Sequence, residues 1–174
     1  MKFSKKSVFT ILFICSFFST SFAELPYYLD FKLILNESVA GKKAQNELKT
    51  KLNTGLKSLN SREKKIREEE KKIIGQKKLI EAAEYKKKVS NLRQKVSQLQ
   101  KDKSSLIEKI AKERSKARSE LLKNLNPIIK EYMQEKKIRY VMDKKSLILA
   151  DESLDITNDI IKILNSKLKQ IKLN

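Results

Sequence analysis

The sequence predicts an α+β protein in which a small body of β-strands carries a long antiparallel α-helical coiled-coil hairpin as an insertion. Three observations predict it. Leu52, Leu59, Ile66, Ile73 and Ile80 recur every seven residues, and Val89, Leu92, Val96, Leu99, Lys103, Leu106 and Ile110 follow in alternating steps of three and four. Residues 25–31 and 138–150, outside that region, have instead the aromatic and apolar texture of strands. A chain of 174 residues with 35% charged residues, three Gly and two Pro favours long helices over a large core.

Residues 1–23 read as a secretory signal peptide. Lys2, Lys5 and Lys6 open it, residues 8–18 are mostly apolar, and Ser21 and Ala23 place small side chains where cleavage needs them. The apolar run is shorter than the roughly 20 residues that span a bilayer, so removal is expected, between Ala23 and Glu24. The mature chain then carries a net charge of +16, from 37 basic and 21 acidic residues. The only cysteine, Cys15, leaves with the leader, which suits a periplasm without requiring one.

The first arm has a half-built seam. Its second set of positions is Leu48, Gly55, Arg62, Glu69 and Gln76, of which only Leu48 is a proper apolar knob. Polar seam residues, with Lys103 on the return, are expected to loosen the arms. Both stretches join at a tip near residues 79–84, and nearly forty residues per arm give roughly 55 to 60 Å at 1.5 Å per residue. Past Ala117 the apolar spacing shifts to Leu121, Leu125, Ile128 and Tyr132. Pro127 should bend the returning helix or end it, with a second helix following; helix is expected to stop at Lys136 or Lys137.

Residues 138–143 and 146–150 read as two strands around a Lys144-Lys145 turn, although Lys-Lys is a poor hairpin turn. A last helix opens at Asp155, a good N-cap, and carries Ile156, Ile160, Ile161, Leu164 and Leu168 on one face. The expected division is therefore a body of residues 24–41 and 124–174 and an arm of residues 42–123. So small a body buries a low fraction of its surface, and its strands leave open edges. Self-association would mend both.

Charge is segregated. Residues 42–123 contain 26 basic and 11 acidic residues, while the rest of the mature chain has 11 and 10. An acidic partner is expected to meet the hairpin, whose candidate contact residues are Lys77, Lys78, Lys86, Lys87, Lys88 and Arg93 near the tip. No enzyme is expected. The chain has no histidine, Gly41-Lys42 is followed by Lys43 in place of the Ser or Thr of a phosphate loop, and the hairpin carboxylates sit among lysines. No cofactor or metal is expected.

Four stretches resemble the Skp/OmpH family of periplasmic chaperones. Tyr28-Leu29-Asp30 is similar to the end of the family's first strand, and residues 36–48 (N-E-S-V-A-G-K-K-A-Q-N-E-L) to the start of its long helix. Residues 141–150 (V-M-D-K-K-S-L-I-L-A) resemble its returning strands, and residues 155–165 (D-I-T-N-D-I-I-K-I-L-N) its closing helix. Val39 stands where many members have proline. The resemblance implies a homotrimer shaped like a jellyfish, joined through its body strands, with Tyr28, Leu29, Tyr140, Val141, Leu147 and Leu149 as candidate oligomerisation residues. It further implies ATP-independent capture of unfolded outer-membrane proteins in the periplasm. Anionic lipid or lipopolysaccharide is a second candidate partner.

Two rival readings remain at this level. A nucleic-acid binder would also concentrate positive charge on a helix, but the leader argues against it, as does Tyr85 being the only aromatic of the hairpin. A structural coiled coil of the envelope would expect fuller seams and no charge segregation.

Overall fold

A computed structural model describes residues 25–173. The leader and its cleavage site at Ala23 and Glu24 lie outside the described residues. Strand β1 (Tyr27–Leu29) is followed at once by a short helix α1 (Phe31–Glu37), capped by Asp30, whose Oδ1 accepts the Leu33 N–H at 2.8 Å. Ser38 then serves two helices. Its N–H ends α1 on the Ile34 carbonyl, while its Oγ accepts the Gly41 N–H and starts α2 (Val39–Gln76).

Helix α2 runs 38 residues out to the tip, and α3 (Ala82–Lys136) returns over 55. The tip expected near residues 79–84 occupies residues 77–81. Pro127 does not end α3: the helix passes through it unbroken. Pro127 is exposed between the buried Leu125 and Ile128, whose tertiary packing holds the helix on either side. The helix stops at Lys136, with Lys137 left-handed at φ 58°.

Strand β2 (Val141–Asp143) pairs with β1 in parallel, Tyr27 beside Val141, Tyr28 beside Met142 and Leu29 beside Asp143. A parallel pair needs a crossover, and the whole hairpin serves as that crossover. The expected antiparallel pairing across Lys144-Lys145 is absent, so among the described residues the sheet has two strands. Residues Lys144–Ser146 form a 3₁₀ turn capped by Asp143, and residues 147–150 lead away without strand structure. Neither lysine suits the positive φ of a two-residue hairpin, and β2 has found its partner in β1.

Helix α4 (Thr157–Lys167) follows a second 3₁₀ turn at Glu152–Leu154. Asp155 Oδ1 accepts the Thr157 N–H at 2.9 Å and also its hydroxyl, while Thr157 Oγ1 accepts the Asp30 N–H at 2.8 Å. With the Ile156 N–H on the Tyr28 carbonyl, these bonds fasten β1 to the start of α4.

The core gathers Leu29, Ile34, Leu121, Leu125, Ile160 and Leu164, closed by Ile171 and Leu173 of the tail. Ala44, Leu48 and Ala117, at the base of the two arms, belong to it as well. Asn165 Oδ1 accepts the Val39 N–H at 2.7 Å, tying α4 to the first turn of α2. The base of the hairpin is thereby held from two sides, by Ser38 within the chain and by Asn165 across it.

Candidate functional site

The hairpin is built by apolar positions that alternate with cross-arm polar pairs. Leu59 and Ile73 of α2, with Leu99 and Ile110 of α3, are buried. At Gly55 the missing side chain leaves the hole that Leu106 fills, because a Cβ there would lie 2.7 Å from both Leu106 methyls. The seam is therefore apolar wherever one side chain can cover another.

Its polar positions face partners. Gln76 Oε1 accepts from Lys88 Nζ at 2.9 Å, Glu69 from Lys95 at 2.7 Å, and Arg62 bonds Asp102 at 2.5 Å. Each step of seven back along α2 is matched by seven forward along α3, so these rungs follow one antiparallel register. Nearer the body Lys51 bonds Glu113 at 2.9 Å, and Lys103 bonds Glu63 at 2.8 Å. Exposed pairs of this kind contribute little to stability once solvent screens them, but a slipped register would leave every rung unmatched. The expectation that Arg62, Glu69, Gln76 and Lys103 only loosen the seam omits these partners.

The pairing also shapes the charge. Lys103 and Arg67 hold the Glu63 carboxyl below its ordinary value, and Arg62 with Gln98 does the same for Asp102. Lys51 is held above its ordinary value by Glu113 and Glu47. Four of the hairpin's eleven carboxylates, Glu63, Glu69, Asp102 and Glu113, are thus paired across the space between the helices, and on the exposed surface lysine and arginine outnumber the six exposed acids.

Of the six tip candidates, five are displayed. Lys77 and Lys78 stand in the turn, Lys86 and Lys87 in the first turns of α3, and Arg93 farther along it, all exposed. Lys88 is the exception, half-buried between Gln76 and Glu84 as part of a rung. Apolar side chains are displayed beside them: Leu79 is 80% exposed and Ile74 61%. Ile74 lies off the seven-residue repeat, so the periodicity that located the seam passed over it.

The body candidates divide. Tyr28 and Leu29 are buried within the chain's own core, Val141 and Leu147 are half-buried, and Tyr140 and Leu149 are exposed. Ile148, fully exposed beside Leu149, was not among the candidates. Tyr140, Ile148, Leu149 and Leu25 are thus large apolar groups that the single chain leaves uncovered.

Comparison with known proteins places this architecture. A family model described as outer membrane protein (OmpH-like) matches residues 27–164, nearly the whole of what the structure describes. The fold is similar to the crystal structure of an OmpH-like protein from Caulobacter crescentus CB15, with a TM-score of 0.80 and 21% identity over 91% of this chain and 95% of that one. No curated protein matches the sequence.

Proposed function

This chain belongs to the OmpH-like outer membrane protein family, and from that premise we propose that it is an ATP-independent holdase chaperone of the periplasm. Its clients are unfolded outer-membrane proteins, kept soluble until they insert. The Caulobacter crescentus protein of the same fold is named as a candidate outer membrane chaperone. The observation that carries the reading is the excess of cations on the hairpin surface: Glu63, Glu69, Asp102 and Glu113 are paired across the arms, and the exposed lysines and arginines far outnumber the six exposed carboxylates, with a few apolar groups displayed among them. Such a surface attracts an acidic unfolded chain at long range and offers many weak contacts at short range. Release then needs no nucleotide, because each contact exchanges on its own.

We further propose a homotrimer in which Tyr140, Ile148 and Leu149 are covered by neighbouring protomers, so that three hairpins surround one client. Many weak contacts from three arms add through effective concentration. The protein acts without chemistry and without a cofactor; anionic lipid or lipopolysaccharide is a second partner suited to the same cations. The test is direct. Purified mature protein should keep a urea-unfolded outer-membrane protein soluble after dilution, without ATP, and aggregation at the rate seen without it would refute the reading.

A further inference from the structure

The chain does not end with its last helix. Beyond Lys167, and beyond the residues 27–164 that match the family model, a tail of residues 168–173 runs without helix or strand across the base of the hairpin. Leu168 is extended, and its N–H on the Leu164 carbonyl is the last backbone hydrogen bond that the tail makes among the described residues. Side chains hold the rest. Ile171 and Leu173 are buried in one cluster with Ala44 and Leu48 of α2 and Ala117 and Leu121 of α3, and Gln170 Oε1 accepts from Lys43 Nζ at 2.7 Å. Toward α3, Leu168, Gln170 and Ile171 line a cleft with Glu120 and Asn124. The tail therefore touches both arms.

We propose that this tail is a releasable strap that fixes the two arms to each other where the hairpin leaves the body, whatever the arms hold. Small side chains make a strap necessary. Ala44 of α2 and Ala117 of α3 line an open cavity of about 670 Å³ at the base of the arms, and neither is long enough to fill it; Ile171 enters its wall from the tail. Farther out the arms close on each other directly, as Leu106 does over Gly55. At the base a third segment supplies the large apolar group that neither helix provides there. Release follows from how the strap is held, because a segment without a backbone ladder opens at a lower free energy than the helices it covers. Two apolar side chains and one exposed hydrogen bond can let go while α4 stays docked through Ile160, Leu164 and the bond of Asn165 to Val39. Helix α3 continues through the body to Lys136 and keeps its packing there, whereas α2 begins at Val39 and has only its base to hold it. The arm that loosens is α2.

The test uses the full mature chain. Ile171→Ser with Leu173→Ser should raise amide hydrogen exchange about tenfold in residues 44–52 and leave residues 157–164 within about twofold of the parent. Lys169→Ser with Lys172→Ser, at exposed positions of the same tail, is the control and should move neither. Release itself is read by thiol labelling. Leu173→Cys should react with a thiol reagent about tenfold faster than Leu29→Cys, although both leucines are 6% exposed, because only the first sits on a segment that can lift off by itself. Unchanged exchange in residues 44–52 would mean that the tail fixes nothing. An equal rise in residues 44–52 and 157–164, or equal labelling of the two cysteine variants, would make the tail an inseparable part of the core. Each of these results overturns the strap.

Discussion

Gly41 lies beneath the Leu35 carbonyl: a Cβ at position 41 would stand 2.1 Å from that oxygen and 2.8 Å from Ser38 Oγ. Both neighbours belong to the corner where α1 turns into α2, and a backbone oxygen cannot swing aside as a side chain can.

Gly41→Ala should therefore destabilise the body by about 1–3 kcal/mol, the usual cost of overpacking, even though alanine is the better helix former. Gly75 is the internal control, with nothing within 4 Å of its added Cβ. Gly75→Ala should stabilise α2 by up to about 1 kcal/mol. Thermal unfolding of both variants decides, and a stabilised Gly41→Ala protein would disprove the tight corner.

Acid should loosen the arms. The folded Glu63 and Asp102 titrate below their ordinary values of 4.5 and 3.8, held there chiefly by Lys103 and Arg62. Groups with depressed values stabilise the fold above the unfolded value and lose that effect as pH falls through the folded one. Helicity followed by circular dichroism should decline below about pH 4. Glu63→Gln with Asp102→Asn should flatten the decline, and an unchanged acid limb in that variant would sever the rungs from arm stability.

Covering of the exposed body residues is a separate expectation. Ile148→Asp with Leu149→Asp should convert the proposed trimer to a monomer in light scattering, because both side chains are more than nine-tenths exposed in the single chain and the proposal would bury a charge there between protomers. The variant should keep its helicity. A persistent trimer would place the interface elsewhere.

Capture should depend on salt. Raising ionic strength from 0.1 to 1 M shortens the screening length from about 10 to about 3 Å, and association with unfolded client should slow markedly. Reversing Lys77, Lys78, Lys86 and Lys87 should mimic salt; Lys88 is left intact because it holds Gln76 and Glu84. The body control is Lys32 and Lys130. Lys162 and Lys167 are unsuitable, since they pair with Asp159 and Glu131. Capture insensitive to both salt and reversal would leave apolar contacts to carry the holding.

The arms and their tip were legible from the sequence because a seven-residue repeat is a local signal: Leu52 to Ile80 and Val89 to Ile110 state which face of each helix is covered without reference to anything distant. The end of α3 at Lys136 was legible too, as was the concentration of charge in residues 42–123, but the short helix α1 was not, and the last helix starts at Thr157 after an Ile156 N-cap where Asp155 was expected to cap it. What the tertiary structure decided is which distant residues meet. Lys88 and Lys86 are two residues apart and alike in the sequence, but only the antiparallel register sets Lys88 against Gln76 and leaves Lys86 displayed. Val141–Asp143 reads as half of a local hairpin until β1 arrives from more than a hundred residues away and takes its hydrogen bonds in parallel. Pro127 ends a helix by local rules and is carried within one here, since Leu125 and Ile128 are buried in a core assembled from the whole chain. Periodicity reports what a residue needs from its nearest turns; pairing and burial depend on the register and packing of segments far apart, which no local pattern contains.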